Sequence, residues 1–328
     1  MHKENTDLMK KVSVIVPMYN ASDTIEECIE SLIGQTIFDE MELILTDDCS
    51  TDDTLKKAGI YEKRYPDHIM IIALSENGGP GRARNIAMEY AGGEYVGFVD
   101  SDDAVVPTMY EHLYNEAKST GSEVADGGIF NKAQDEAIVY TTDELTGPMD
   151  DHKRSILIAS GGYICSKIFN RRFLLDNDIR FREEYVLEDM DYILEVFCRM
   201  KRIASVKEVM YIYRDSGESL SKTAEADKYL HSTMTAMEAI YDKLSKLPFY
   251  EGIREAVEYT ILQLYSFSVN INLKAVQDGV RGPDEGQRTR EALRDIKKRC
   301  VRGGYDNKFV RDKISEADII LMKDNDVM

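Results

Sequence analysis

Short apolar runs separated by helical-period segments organise the first hundred residues. Residues 12–16 are a β-branched run of the kind a buried strand needs, and the run breaks at Pro17. Ile25, Ile29, Leu32 and Ile33 then recur at helical spacing, with Asp23 and Glu26 set as a capping pair. Residues 42–46, 69–74 and 94–99 predict three more strands. A short helix before the third strand and a helix over 82–91 before the fourth complete a strand–helix alternation, which predicts a mainly parallel α/β sheet. Residues 123–213 mix short strands with one clear helix near 189–200. From about residue 222 the pattern changes: Tyr229, Met234, Met237, Ile240 and Leu244, then Ile253, Val257, Ile261 and Leu264, sit at helical spacings with no strand runs between them. The expected organisation is an α/β domain over 1–221 and a smaller helical region over 222–328. No internal repeat or low-complexity stretch interrupts it.

Composition adds exclusions. The 43% hydrophobic and 31% charged residues suit an ordinary globular protein, and 328 residues suit one large domain with a smaller one. The first ten residues are polar and no run approaches a membrane span, so any membrane association is expected to be peripheral, at the inner face. Cys28, Cys49, Cys165, Cys198 and Cys300 are odd in number and scattered, which suggests neither a disulfide framework nor zinc and fits the cytoplasm. A net charge of −19 argues against nucleic acid, whose phosphates need a basic face. The excess is local: 23 basic residues face 42 acidic ones before residue 222, against 18 and 18 after it. If that acidic part binds a phosphorylated ligand, a divalent cation must stand between them.

The unusual turns all follow predicted strands, at the edge where open α/β sheets bind ligands. Asp100-Ser101-Asp102-Asp103 follows the fourth strand; on an extended backbone Asp100 and Asp102 point to the same side. Two such carboxylates suit Mg²⁺ or Mn²⁺, which commonly take one or two carboxylates plus phosphate oxygens. Taken alone, such a pair is more often a solvated turn. Asp47-Asp48 ends the second strand, able to accept from a base N–H or to orient a ribose, or simply to cap a helix. Glu188-Asp189 opens a helix, where the dipole favours the charged carboxylate; capping and general-base roles both fit.

Taken in order, the motifs resemble the family 2 glycosyltransferases of GT-A (Rossmann-like) fold, over roughly residues 11–221. The matching blocks are Val12-Ser13-Val14-Ile15-Val16-Pro17-Met18-Tyr19-Asn20, Thr46-Asp47-Asp48-Cys49-Ser50-Thr51-Asp52, Asn77-Gly78-Gly79 with Ala83-Arg84-Asn85, Asp100-Ser101-Asp102-Asp103, Glu188-Asp189, and Tyr211-Ile212-Tyr213-Arg214 with Ser219-Leu220-Ser221. In the second block Cys49 stands where the family usually has glycine. The resemblance implies an inverting, metal-dependent transferase moving a hexosyl or N-acetylhexosaminyl unit from a UDP-sugar to a saccharide or lipid-linked acceptor in surface polysaccharide synthesis. By resemblance Pro17, Tyr19, Asn20 and Asp48 hold the nucleoside, with Tyr19 stacking on the base. Asn77, Gly78, Arg84 and Ser101 line the donor site, and Asp103 faces donor sugar or acceptor. Asp102, helped by Asp100, ligates Mn²⁺ or Mg²⁺ at the diphosphate, and Asp189 is the base. Lys167, in Cys165-Ser166-Lys167-Ile168-Phe169, is similar to a block often read Asn-Lys-Leu-Tyr.

Three rivals stand beside this reading. A haloacid-dehalogenase-type phosphatase would use Asp100 as nucleophile and Asp102 as acid or base. That motif normally opens its fold, however, and Ala104 stands where Thr or Val belongs. A dinucleotide-binding dehydrogenase lacks its glycine-rich turn, since Pro17-Met18-Tyr19-Asn20 follows the first strand. A non-catalytic nucleotide-sugar-binding scaffold is distinguished only by turnover. The helical region is read as an acceptor-cleft cover or an oligomerisation surface, a homodimer being favoured.

Overall fold

A computed structural model describes residues 10–184, 186–214 and 226–327. The predicted strands are present with small shifts: β1 (Val12–Met18), β2 (Met41–Asp47), β3 (Ile69–Ala73) and β4 (Tyr95–Phe98). Every residue of β1 is buried, as expected of a strand covered on both faces. β2 and β4 flank β1 in parallel, and β3 lies outside β2. α1 (Ile25–Ile33), α2 (Thr54–Arg64) and α3 (Gly79–Tyr90) supply the crossovers that parallel pairing needs. α1 buries Ile25, Cys28, Ile29 and Leu32 on one face. Its N-cap is Thr24, with no side-chain capping bond. Asp23 and Glu26 therefore do not form the expected capping box; the Ala21 carbonyl accepts from the Thr24 and Ile25 amides instead.

Beyond β4 the sheet continues through strands that are distant in sequence. The remaining elements of this part are β5 (Ala104–Val105), α4 (Met109–Thr120), β6 (Val124–Asn131), β7 (Glu136–Ile138), β8 (Gly147–Pro148), β9 (Lys167–Asn170), α6 (Arg171–Asp176) and β10 (Arg202–Tyr213). The sheet order is β3-β2-β1-β4-β9-β6-β10-β5, with β7 added to β6 and β8 to β10. β9 runs antiparallel to both β4 and β6, so it joins a parallel block to the parallel β6–β10 pair.

The chain forms two compact units. Among the described residues, the sheet unit holds 10–148, 163–183 and 200–214. The helical unit holds 149–162, 184, 186–199 and 226–327. It contains α5 (Asp151–Ser160), α7 (Met190–Arg199), α8 (Ala226–Leu244), α9 (Tyr250–Gln277), α10 (Pro283–Cys300), α11 (Lys308–Lys313) and α12 (Glu316–Val327). α9 is the hub, packing against α8, α5, α10 and α12. The single division expected at 221/222 falls outside the described residues, and the helical unit also draws in two earlier stretches, because α5 and α7 find their apolar partners on α9 and α8. Among the described residues no helix is long and apolar enough to cross a membrane.

Candidate active site

The carboxyl ends of β1, β2 and β4 gather the expected loops. Pro17 lies just past the last β1–β4 pair, Ile15 with Phe98, where its missing N–H costs nothing on that side. Tyr19 follows, 40% exposed. Asn20 has φ +48°, and its side-chain carbonyl accepts from the Thr51 amide at 2.8 Å while its own amide donates to Ser50 Oγ at 3.0 Å. These bonds clamp the β1 loop to the β2 loop.

In the β2 loop, Asp47 Oδ2 accepts from the Ser50 amide at 3.1 Å, closing a tight turn. Cys49 sits at φ +64°, a left-handed conformation that costs an L-residue about 1–2 kcal/mol relative to its usual regions. The glycine usual at this position carries no such cost. Asp48 is buried, and its carboxylate accepts from the Gly78 and Gly79 amides at 2.9 and 2.8 Å, while Asn77 Nδ2 donates to the Asp48 carbonyl. Gly79, at φ +85°, permits this turn into α3. Asp48 therefore braces the third loop against the second, with its oxygens engaged by backbone amides.

The fourth strand ends at Phe98, and the acidic segment is a turn: the Asp103 amide donates to the Asp100 carbonyl at 3.0 Å. The strand alternation expected to put Asp100 and Asp102 on one side does not extend here. Arg84, on α3 and itself buried, holds Asp100 at 2.7 Å and lies over the Phe181 ring at 5.3 Å. The Asp100 side chain keeps 40% of its surface exposed, and Ser101 and Asp102 are half-buried. Asp103 is not placed as expected. It is fully buried, accepting from the Tyr211 hydroxyl at 2.6 Å and the Arg214 amide at 2.7 Å. From there it ties β10 to the turn and presents no surface to donor or acceptor. Burial, and next the Asp100 charge, push its pKa up to about 8, with Asp102 adding to the effect.

That crowding is the observation against which a cation is judged. Among the described residues no three or more His, Cys, Asp or Glu side chains are grouped to hold a metal alone. Asp100 and Asp102 fit the alternative, in which one or two carboxylates and the ligand's phosphate oxygens share the ion.

In the helical unit, the Asp189 carbonyl accepts the Ile193 amide at 2.9 Å, so Asp189 stands at the entry of α7 as expected. Its charge, after burial, raises the pKa of Tyr229 on α8. Leu187, two residues earlier, has φ +60°, uncommon for a bulky side chain and typical of strain stored near functional groups. Tyr185, Ser219, Leu220 and Ser221 lie outside the described residues.

Sequence reasoning missed two features here. Tyr211 donates to Asp103 and accepts from the Asp100 amide at 3.2 Å. Lys167 and Asp126 form a buried ion pair at 2.9 Å. The signal for the second was visible in the sequence: an acid inside the otherwise apolar or small run from Val124 to Phe130.

Residues 13–178 match the family described as glycosyl transferase family 2. The chain belongs to that family. This glycosyltransferase is 33% identical over 247 residues to an uncharacterized glycosyltransferase, EpsJ, of Bacillus subtilis (strain 168), covering 70% of each protein. It is 32% identical over 235 residues to the poly(ribitol-phosphate) beta-N-acetylglucosaminyltransferase TarS of Staphylococcus aureus (strain Mu50 / ATCC 700699), covering 69% of this chain and 39% of that protein. A crystal structure of S. aureus TarS 1–349 in complex with UDP-GlcNAc superposes with TM-score 0.72 at 25% identity, over 96% of this chain and 90% of that one. A mannosyltransferase from Pyrobaculum calidifontis, solved with GDP-Man and Mn²⁺, shares the fold at TM-score 0.54 and 16% identity. The architecture of this chain is therefore a GT-A fold with a C-terminal helical segment.

Proposed function

We propose that this family 2 glycosyltransferase transfers a hexosyl or N-acetylhexosaminyl unit from a UDP-sugar to a growing saccharide or lipid-linked acceptor of a surface polysaccharide, with inversion. The observation that carries the reading is the convergence of the Tyr19–Asn20, Asp47–Asp48 and Asn77–Gly79 loops, hydrogen-bonded to one another, with the Asp100–Asp102 turn held by Arg84 of α3. The likeness to TarS, solved with UDP-GlcNAc, favours UDP as carrier.

In this reading Pro17 and Tyr19 shape the nucleoside pocket, Tyr19 offering its exposed ring to the base. Asn20 and Asp48 hold the loops that form the pocket, with Asn77, Gly78 and Ser101 lining it. Arg84 orients Asp100 rather than reaching the donor itself. Asp100 and Asp102 would hold Mn²⁺ or Mg²⁺, which would neutralise charge growing on the departing diphosphate. Asp189 takes the proton of the acceptor hydroxyl. The hydroxyl oxygen forms the new bond at the anomeric carbon as the bond to the diphosphate oxygen breaks, and that oxygen leaves with the electron pair as UDP. One displacement from the opposite face turns an α-linked donor into a β-linked product, as an activated nucleophile does in inverting glycoside hydrolysis.

The test is turnover. UDP release from a panel of UDP-hexoses and UDP-N-acetylhexosamines, with Mn²⁺ and oligosaccharide acceptors, should exceed that of an Asp102→Ala, Asp189→Asn double variant. Tight UDP binding without any turnover would favour the non-catalytic scaffold.

A further inference from the structure

Three tyrosines gather in the sheet unit, Tyr140 just after β7, Tyr163 before β9 and Tyr213 at the end of β10. Tyr140 and Tyr163 meet edge to face with ring centroids 5.7 Å apart, and Tyr163 stacks on Tyr213 at 6.4 Å with the planes 24° apart. Tyr140 and Tyr213 are half-buried against the core, while Tyr163 is 42% exposed.

Their support is unusually deep. Lys167 and Asp126 are essentially inaccessible and paired at 2.9 Å. Asp126 also accepts from Thr141 Oγ1 at 2.7 Å and Ser166 Oγ at 2.8 Å, and Lys167 Nζ donates to the Tyr163 carbonyl at 2.8 Å. The network thus grips the residue after Tyr140 and the backbone of Tyr163 itself. A buried ion pair is weak evidence of stability, because desolvation offsets its attraction. What this one secures is the position of two rings. Tyr213 is held independently: its carbonyl accepts the Lys132 amide, and the flanking Tyr211 hydroxyl and Arg214 amide both donate to Asp103. The ring cluster is therefore rigidly connected to the acidic turn.

A tyrosine ring offers a rigid apolar face with a polar tip at little entropic cost. That matches a pyranose, whose axial C–H bonds make an apolar face within a rim of hydroxyls. We propose that Tyr140, Tyr163 and Tyr213 form a stacking platform for a pyranose ring of the acceptor glycan, a proposal that rests on the glycosyltransferase reading above. Nucleobase stacking belongs elsewhere, at Tyr19 on the end of β1.

Saturation-transfer NMR on the full chain, with chitotetraose and cellotetraose as probes, tests this. At least one should show saturated ring C–H protons. Tyr163→Ala and the bulkier Tyr163→Leu should weaken that signal at least five-fold, and Tyr163→Phe should keep it. Excess UDP with Mn²⁺ should not displace the saccharide. An undiminished signal in Tyr163→Ala or Tyr163→Leu, no signal with either probe, or displacement by UDP would overturn the platform. Titration of UDP into the same samples separates the two readings: a chain that stacks saccharide but binds no UDP contradicts the donor site and not the platform.

Discussion

In the helical unit, the buried acids Asp191, Glu195 and Glu258 have counterions. Asp191 is inaccessible and Glu195 nearly so, and Lys243 Nζ lies 2.7 and 3.1 Å from their carboxylates. Glu258, also inaccessible, pairs with Arg254 at 3.2 Å and accepts from the Arg302 and Gly303 amides. In the sheet unit, Arg84 pairs with Asp100, while burial first and then the Asp100 and Asp102 charges push the pKa of Asp103 up to about 8. The acids of the helical unit share cations at short range, whereas the turn brings Asp100 and Asp102 close enough to add to the raised pKa of buried Asp103. Carboxylates crowded in this way at the strand ends are the proposed place for an added cation.

Asp189 is the exception that the comparison must accommodate, an acid of the helical unit assigned to chemistry. Asp189→Asn should lower kcat by roughly 10²–10⁴, the usual worth of a general base, with UDP affinity unchanged. A variant with normal turnover would return Asp189 to plain capping. Lys243→Met should do the opposite. Taking from Asp191 and Glu195 the cation they share should cost at most about 3–5 kcal/mol of stability in urea denaturation, because Glu195 keeps Arg199 at 2.8 Å, while the molecules that remain folded keep their turnover.

Asp103 gives a pH-dependent version of the same contrast. Its folded pKa lies above the unfolded value, so its contribution to stability is complete at pH 4 or below and is lost as pH rises through about 8. Asp103→Asn should flatten that slope in melting curves taken between pH 5 and 9, and an unchanged slope would remove the charge-crowding argument. The smallest effect concerns Cys49. Cys49→Gly relieves the left-handed backbone at φ +64°, and the gain, partly offset by the entropy of glycine, should be about 1 kcal/mol or less. A destabilised Cys49→Gly would mean that the thiol contributes contacts worth more than the strain.

How much of this was legible depends on how local each cause is. β1 to β4 and their loops could be read directly, because short β-branched runs and Gly, Asn and Asp turns carry their instructions within a few residues. The ordered motifs likewise gave the family and the GT-A fold. The insertion of β9 between β4 and β6 could not be read, since its partners lie 41 to 75 residues away. α5 and α7 give no sign in sequence of belonging with the C-terminal helices, because that choice is made by distant apolar faces. The inward turn of Asp103 was hidden for the same reason: Tyr211, which receives it, is 108 residues later. Within the candidate site, composition and order named the residues, but only coordinates distinguished those that face a ligand from those that hold the loops.

We propose that Asp100 and Asp102 complete a cation site only together with a nucleotide diphosphate. Calorimetric titration of UDP into the protein, with and without Mn²⁺, on wild type and Asp102→Ala, tests it most directly. Binding should strengthen with Mn²⁺ in the wild type and lose that metal dependence in Asp102→Ala. UDP binding that is indifferent to Mn²⁺, or equally metal-dependent in both proteins, would contradict it.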